Sequence, residues 1–416
     1  MIEPKIRFKG FEGEWKTEDF QNSFDPLRNN SLSRAELADD GKIANIHYGD
    51  VLIKYSECID TSVDKLTYIL DNEIGKNLVK NGALKRGDII FADAAEDNTV
   101  GKCSELLCKE DELIVSGLHT IACRPNLNVA EKYLGYYLNS PAYHNQLLPH
   151  IQGTKISSIS RKAINTTSVV IPNQKAEQKA IASYFTSLDS QISASTSRLA
   201  SLKQMKAASL QAMFPQEGET VPKIRFKGFE GEWKKVSFKD FTFHAGTKNR
   251  DNLPLESYSI SNEFGFIPQN EQFENGGTMT QADKRMYYIV TPNSFAYNPA
   301  RINVGSLGYY EGNDDVIVSS LYEVFKTDDT ICDKFLLYWF KTNIFQKMIE
   351  QFQEGGVRLY FFYDKMCKCS LMRPPLAEQQ VIANYFTSLD RQISLQSQSL
   401  EKLKQIKSAC LDKMFV

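Results

Sequence analysis

The sequence predicts an α+β fold: two mixed α/β domains separated by two long antiparallel helices that form a coiled coil, in a pseudo-twofold internal repeat. The first observation is that the same 13 residues, PKIRFKGFEGEWK, occupy positions 4–16 and 222–234. The second is a pair of similar helical segments at 176–214 and 377–415. The third is that the intervening parts share only short matches, which indicates two related domains that have diverged.

Length and composition favour a soluble protein of several domains. With 416 residues the chain is too long for one ordinary core, and 42% of its residues are hydrophobic and 24% charged. No apolar run approaches the roughly 18 residues of a membrane span. Eight cysteines without a CxxC pair, and an N-terminus without an apolar stretch, favour reduced thiols and a cytoplasmic location. The net charge of −2 argues against a surface that coats nucleic acid, although it permits local basic patches.

The two copies share one frame along their whole length. Short matches such as Phe91-Ala92 with Phe295-Ala296 occur in the same order, and their offset falls from 218 at the start to 201 at the end. Gene duplication followed by neutral drift would explain the differing middles, but it leaves the near-identical ends unexplained. We favour the interpretation that the ends of each copy form a shared frame. The divergent parts between them, residues 17–175 and 235–376, would recognise two different things and are called the middles.

The repeated segments at 176–214 and 377–415 predict long helices. Apolar residues recur with 4-3 spacing, as in a coiled-coil seam, with one polar position in each. The seams consist of Ile181, Phe185, Leu188, Ile192, Ser195, Leu199 and Leu202, and of Ile382, Phe386, Leu389, Ile393, Gln396, Leu400 and Leu403. Each helix would have about 38 residues and span roughly 57 Å at about 1.5 Å per residue, which suits a spacer.

These boundaries predict four parts. The first domain would span residues 1–175, and the first long helix 176–215. The second domain would span 216–376, including a linker at 216–221, and the second long helix 377–416. In both domains, the segments 87–92, 113–123, 294–297 and 316–326 predict strands, and 130–140 and 332–342 predict short helices, so we expect largely antiparallel sheets.

Two pairs of loops occupy equivalent places in the two copies. The first pair comprises residues 93–99 and 297–303, which have matching anchors but charges of opposite sign. The second pair is Gly153-Thr154-Lys155 and Gly356-Val357-Arg358, which place a glycine and a basic residue some 20 residues before each long helix. Glycine allows close backbone approach, and a basic side chain suits a phosphate or a guanine. Any one of these residues could equally belong to an ordinary solvated turn, whereas the paired placement favours contact.

Motifs of catalysis are missing from the sequence. It contains no GxxxxGK[ST], no GxGxxG after a strand and no HExxH, and its five histidines form no cluster with ligand spacing. Glu14-x-Lys16 and Glu232-x-Lys234 have the local spacing of a nuclease core, but no paired acidic strand precedes them. The sequence therefore favours a binding subunit without catalytic residues, metal or cofactor of its own.

The repeated motifs resemble a known family. Each divergent domain is followed by a helix that opens with Ala-Glu-Gln, at 176–178 and 377–379, and continues Ile-Ala-x-Tyr-Phe-x-x-Leu-Asp. This arrangement resembles the DNA specificity subunit of type I restriction-modification systems, and the segment GDIIFADAAEDNTVGK resembles the first recognition domain of that family.

The resemblance implies a non-catalytic subunit. Each domain would be a target recognition domain that reads one half of an asymmetric, two-part sequence in double-stranded DNA. The helices would separate the half-sites and dock two methyltransferase (modification) subunits, which would carry S-adenosylmethionine. Motor and nuclease (restriction) subunits would join for restriction, and no membrane would be involved.

The expected DNA contacts rest on loop position, since the family's base-reading residues vary. Arg301 would pair with guanine, Asn98 or Asn303 with adenine, and Asp93 or Asp97 with cytosine. Phosphate contacts would come from Lys102, Lys155, Lys248 and Arg358. The candidate set also includes Thr99, Thr154, Arg250 and Asn298.

Two alternatives remain open from the sequence. The chain could be a duplicated coiled-coil adaptor that joins protein partners without reading DNA, or a nuclease that uses the Glu-x-Lys pairs. If exchange of the middle domains changed the protein partners and left the DNA targets unchanged, the adaptor interpretation would hold. Cleavage of DNA by the isolated chain with magnesium would support the nuclease interpretation.

Overall fold

A computed structural model describes residues 3–153, 155–262, 264–272 and 283–416. For residues 271 and 272 it describes the backbone only. The chain divides into two compact units: unit 1 comprises Met1–Thr196 with Gln398–Val416, and unit 2 comprises Ser197–Ser397. Each unit therefore combines one of the divergent middles with one part of each long helix. The predicted division into four parts stays a prediction. No helix of the described residues is both long and apolar enough to cross a membrane.

Unit 1 contains thirteen strands among its described residues. They are β1 Lys16–Asp19, β2 Phe24–Pro26, β3 Leu37–Ala38, β4 Ala44–Ile46, β5 Cys58–Asp60, β6 Thr67–Ile69, β7 Ile89–Ala92, β8 Ala94–Ala95, β9 Cys103–Leu107, β10 Ile114–Ser116, β11 Thr120–Pro125, β12 Ser157–Ser158 and β13 Ser168–Ile171. The helices are α1 Phe20–Ser23, α2 Tyr48–Ile53, α3 Asn72–Gly82, α4 Tyr133–Leu138, α5 Pro141–Leu147, α6 Arg161–Ile164 and the long α7 Lys175–Ala212.

The sheets of unit 1 are mixed. One has the order β2-β11-β7-β9-β5 and the other β10-β4-β6-β3, while β1 pairs with β13 and β8 with β12. Only the pairs β4–β10 and β5–β9 are parallel among these ladders. The predicted strands at 87–92 and 113–123 are confirmed as β7 and as β10 with β11, and the predicted helix at 130–140 as α4.

Unit 2 repeats much of this plan. Its strands are β14 Lys234–Ser237, β15 Thr242–His244, β16 Thr247–Lys248, β17 Ser257–Ser261, β18 Gly265–Pro268, β19 Tyr288–Val290, β20 Ser294–Tyr297, β21 Leu307–Tyr310, β22 Val316–Val318, β23 Glu323–Thr327 and β24 Ser370–Arg373. Its helices are α8 Gln269–Gln272, α9 Asp333–Trp339, α10 Asn343–Phe352, α11 Tyr363–Met366 and the long α12 Leu376–Lys413. The sheets have the orders β15-β23-β20-β21 and β16-β19-β22-β17-β18, and β14 pairs with β24.

The predicted elements of unit 2 are confirmed as well. The segment 294–297 forms β20, and the segment 316–326 forms β22 and most of β23. The segment 332–342 contains the helix α9. Among the ladders of the described residues in this unit, β17–β22 is parallel and the others are antiparallel, as expected for a largely antiparallel sheet.

The long helices pack antiparallel within each unit. In unit 1, Phe185 near the start of α7 stacks on Phe415 just beyond the end of α12, with ring centroids 5.7 Å apart. In unit 2, the hydroxyl groups of Ser209 and Tyr385 lie 2.9 Å apart, so the end of α7 meets the start of α12. Both helices have 38 residues, and every seam position in them is buried or half-buried, as the 4-3 spacing predicts.

The core of each unit is aromatic and includes the end of a long helix. In unit 1, Phe415 packs with Tyr133 and Tyr137 of α4. In unit 2, Phe214 occupies the same place and packs with Phe335 of α9. The repeated Met-Phe dipeptide after each long helix therefore closes a core, because its burial removes a large apolar area from water.

Candidate nucleic-acid interface

The repeated N-terminal segment is fastened to the start of a long helix by a buried ion pair. Arg7 donates two hydrogen bonds, of 2.7 and 2.9 Å, to the Glu177 carboxylate and a third to the carbonyl of Gly13. In unit 2, Arg225 holds Glu378 in the same way, at 2.7 and 2.8 Å. The glutamates are 1% and 0% exposed, so a bidentate arginine is needed to compensate their burial.

The glutamine of each Ala-Glu-Gln motif joins the helix to the short aromatic helix region. The Gln178 side chain accepts from the backbone N–H of Ala130 at 2.8 Å and donates to the carbonyl of Pro172 at 2.9 Å. Gln379 makes the equivalent pair of bonds in unit 2. The motif that carries the family resemblance thus has a structural role.

The aspartate of each Leu-Asp motif links three elements. In unit 1, the Asp189 carboxylate accepts from the hydroxyl of Tyr136 at 2.7 Å and from Lys407 of α12 at 2.6 Å. In unit 2, Asp390 receives the same two contacts from a tyrosine and from a lysine of α7. The frame residues therefore bind each other in the same way in both units.

In unit 1 the candidate loop 93–99 leaves the central strand β7. Its residues 96–99 are all exposed. Asp97 accepts from the backbone N–H of Thr99 at 2.9 Å and also from its hydroxyl, and these hydrogen bonds lower the pKa of Asp97. Asp93 lies 3.0 Å from Nδ1 of His119. The Asn98 side chain is exposed, and its backbone carbonyl is engaged by His144.

His119 is a residue that sequence reasoning missed. Its backbone has a φ of +53°, which is uncommon for a residue with a side chain, and its ring meets Tyr48 edge-on at 5.3 Å. The hydrogen bonds of Asp93 to both its backbone and its ring hold it beside the loop. No pattern in the sequence marks a position of positive φ at a histidine.

In unit 2 the candidate loop 297–303 leaves the equivalent strand, β20. Arg301 and Asn303 are exposed, and within the described part of the chain the Arg301 guanidinium has no hydrogen-bond or carboxylate partner. Asn298 is half-buried, and its side chain accepts from the backbone N–H of Ala300 at 3.0 Å. Of these residues, Arg301 and Asn303 are the better placed to contact a ligand.

The two glycine loops are a matched pair of hairpins, but the sequence pairing was wrong by one residue. Gln152 and Ser158 form an antiparallel bridge, as do Glu354 and Tyr360. The equivalent of Gly153 is therefore Gly355, not Gly356. Both equivalent glycines have positive φ, +108° and +139°.

Each hairpin lies against its candidate loop. In unit 1, Ser157 and Ser158 pair with Ala95 and Ala94, and Ile159 donates to the carbonyl of Asp93 at 2.9 Å. In unit 2, Phe361 donates to the carbonyl of Pro299 at 3.0 Å. The structure therefore brings the two predicted loops of each unit together into one surface, here called the loop surface of that unit.

The basic candidates have different surroundings. The Nζ of Lys102 donates to the carbonyls of Leu52 and Tyr55, both at 2.9 Å, and burial lowers the pKa of this lysine. The ammonium group of Lys102 is thus bound within unit 1 and is poorly placed for the predicted phosphate contact. Lys155 and Arg358 are exposed on the hairpins, whereas Thr154 lies outside the described residues.

A second basic group lies near strands β16 and β19 of unit 2, with Lys248 on β16, Arg250 just after it, and Lys284 and Arg285 before β19. Lys248 donates to the carbonyl of Met286 at 3.0 Å and lies 3.7 Å from the Tyr288 ring, while Arg250 is exposed. The neighbouring Lys284 and Arg285 were missed, although an adjacent Lys-Arg pair is visible in the sequence. In the regions that the structure describes, no group of three or more His, Cys, Asp or Glu could hold a metal.

Comparison with known proteins identifies the class. The family model described as "Type I restriction modification DNA specificity domain" matches residues 28–204 and 231–405, most of the chain. The chain therefore belongs to this family, whose members are non-catalytic specificity subunits. No curated protein gives a significant sequence match.

Solved structures show the same fold. The crystal structure of the type I restriction-modification S subunit from M. genitalium is 12% identical, with a TM-score of 0.58, and the match covers 100% of this chain and 99% of that one. A structure described under "complex assembly and conformational transition of the type I R-M system" is 15% identical, with a TM-score of 0.54, and the match covers 97% of this chain and 98% of that one. The predicted α+β architecture with two long helices is thus confirmed.

Proposed function

We propose that the loop surface of each unit reads one half of an asymmetric, two-part DNA sequence. The observation that supports this most directly is the contrast between frame and loops. The arginine–glutamate, glutamine and aspartate contacts of the frame are the same in both units. The loops that share this frame differ in charge and side chains, as two readers of different bases should.

The proposed base contacts follow from side-chain chemistry and exposure. Arg301 pairs with guanine, because its guanidinium can donate two hydrogen bonds to O6 and N7. Asn98 and Asn303 suit adenine, and Asp93 or Asp97 accepts from the amino group of cytosine. Thr99 and Asn298 support these loops through their turn hydrogen bonds.

Phosphate contacts are proposed for the exposed Lys155, Arg250 and Arg358 and for the half-buried Lys248. Lys155 and Arg358 lie on the hairpins, and Lys248 and Arg250 lie in the second basic group. Thr154 stays a candidate from its sequence position. Lys102 is left out, because its ammonium group already donates to two carbonyls of the fold.

The long helices are proposed to set the distance between half-sites and to dock two methyltransferase subunits that carry S-adenosylmethionine. Met205 on α7 is 49% exposed and Leu395 on α12 is 56% exposed, although both lie on coiled-coil helices. Single exposed apolar residues are ordinary on a surface, so the proposal rests mainly on the length and the matching sequences of the two helices. Motor and nuclease subunits would complete a restricting complex.

Methylation mapping tests this function. The chain is expressed with its methyltransferase subunits in a host without other adenine methylation, and modified sites are read by long-read sequencing. We expect one asymmetric motif of two parts separated by a fixed gap. If the chain leaves methylation unchanged, or if exchange of the middles alters protein partners and not the motif, the adaptor alternative replaces this proposal.

Arg301→Ala provides the sharpest single test. Loss of a bidentate contact with guanine should cost about 1–3 kcal/mol and relax one position of the motif. Lys239→Ala, which removes an exposed cation outside the loops of unit 2, is the matched control. An unchanged motif for the Arg301 variant would remove this residue from the readout.

A further inference from the structure

The two hairpins present the same pair of chemical groups at their tips. The bridges make Lys155 equivalent to Val357 and Ile156 equivalent to Arg358. Each tip therefore holds one branched apolar side chain next to one cation, in opposite orders. We call Lys155 with Ile156, and Val357 with Arg358, the tip pairs.

The apolar members are strongly exposed. Ile156 is 63% exposed and Val357 is 105% exposed. A single exposed apolar residue is ordinary on a protein surface. Here a strongly exposed apolar residue recurs at the tips of both hairpins, beside a cation each time, which is a repeated arrangement and not a scattered residue.

The base of each tip is closed by backbone hydrogen bonds. The bridges of the two hairpins are closed by hydrogen bonds of 2.7 and 3.0 Å in unit 1 and of 2.8 and 2.9 Å in unit 2. A Cβ at Gly153 would lie 2.0 Å from the carbonyl oxygen of Ile156, and a Cβ at Gly355 would lie 2.1 Å from that of Arg358. Glycine thus permits a close backbone approach at the base of each hairpin.

We propose that Ile156 and Val357 make apolar contacts with bases of duplex DNA, while Lys155 and Arg358 bind the adjacent phosphates. The inference rests on the proposed function and adds to it two side chains that sequence reasoning did not select for base contact. The methyl group of thymine and the faces of base steps are the apolar surfaces that DNA offers. The neighbouring cation favours the polyanionic backbone over an apolar protein partner.

Salt dependence separates the two kinds of contact. The probe is a duplex that carries the motif mapped for the unmodified chain, and the protein is the full chain with its methyltransferase subunits. Val357→Ala should weaken binding about tenfold, or ~1.4 kcal/mol, without changing the slope of log K against log salt. Arg358→Ala should instead reduce that slope by about 1. Ile156→Ala should behave as Val357→Ala does.

Matched variants show whether exposure alone matters. Val63→Ala in unit 1, at a site 80% exposed, and Val221→Ala in unit 2, at a site 41% exposed, should leave binding unchanged. Val357→Met restores an apolar group and should recover most of the lost affinity.

Three results would overturn the inference: Val357→Ala binding within twofold of the unmodified chain, a changed salt slope for that variant, or weakened assembly with the methyltransferase subunits. Each leaves the proposed function standing so long as the unmodified chain still directs a two-part motif. Absence of any such motif would instead contradict the proposed function itself.

Discussion

Single residues of the frame explain why the ends of the two copies are so alike. Glu177 and Glu378 are almost completely buried, and each is compensated by one arginine of the repeated N-terminal segment. Removal of one partner leaves an uncompensated charge in a dry environment, which usually costs more than the pair contributes. The repeated segment therefore supplies the arginine, and the Ala-Glu-Gln motif the glutamate, of one buried ion pair in each unit.

Arg7→Ala and Arg225→Ala should each lower the free energy of unfolding by about 3–5 kcal/mol. Urea unfolding followed by circular dichroism measures this change. Lys9→Ala and Lys227→Ala, which alter exposed residues of the same segments, should have little effect. Equal stabilities for the arginine and lysine variants would contradict the assigned role.

Glu105 gives the stability of unit 1 a pH dependence. Its buried carboxylate accepts from the backbone N–H groups of Lys132 at 2.6 Å and Gly135 at 3.0 Å, at the start of α4. Burial outweighs these bonds and raises the pKa of Glu105 to about 7. Because the folded protein holds the proton more tightly than the unfolded chain, this stabilisation is complete below about pH 4.5 and is lost as the pH rises through about 7.

Glu105→Gln should therefore flatten the fall in stability between about pH 5 and pH 8, by an amount on the order of 1–3 kcal/mol. Thermal or urea unfolding at the two pH values checks it, with Glu110→Gln on the exposed surface as control. If the Glu105→Gln variant kept the pH profile of the unmodified chain, other groups would dominate the dependence.

Among the elements, the hairpins depend on one glycine each. Gly355→Ala places a Cβ 2.1 Å from a carbonyl oxygen at a φ of +139°, whereas Gly356→Ala meets nothing within 4 Å. We expect the first variant to distort the hairpin and reduce DNA affinity at least about tenfold, with a small change in melting temperature because the loop is exposed. The second variant should bind normally, and equal binding by both would show that the hairpin is not part of the interface.

The elements show what the sequence could and could not predict. The 4-3 spacing of apolar residues was enough to predict the helices α7 and α12, since the seam repeats over many turns. Short matches between the two copies, such as Phe91-Ala92 with Phe295-Ala296, located the central strands β7 and β20. The register of the glycine hairpins required backbone geometry, because Gly355 and Gly356 are neighbours and only one has positive φ. The sequence likewise could not predict that the Lys102 ammonium group donates to two backbone carbonyls, since a lysine beside a polar loop is usually exposed.

At the scale of the whole molecule, the two copies should be exchangeable parts. A chain in which residues 235–376 replace residues 17–175 keeps the arginine, glutamate and glutamine contacts of the frame in both units. Such a chain should direct methylation of a site whose two halves are inverted copies of each other. Methylation mapping checks this, and an asymmetric motif from this chain would contradict the assignment of one half-site to each unit.

The matching ion pairs at Arg7 and Arg225 also bear on how the middles can be exchanged. Because an identical 13-residue peptide precedes each middle, a middle joined to the segment of the other copy would meet the same residues at its start. Every such joint falls in a segment whose anchoring glutamate is present in both contexts. Exchange of a whole middle therefore preserves the buried ion pair, whereas stepwise mutation of a buried core would pass through destabilised intermediates.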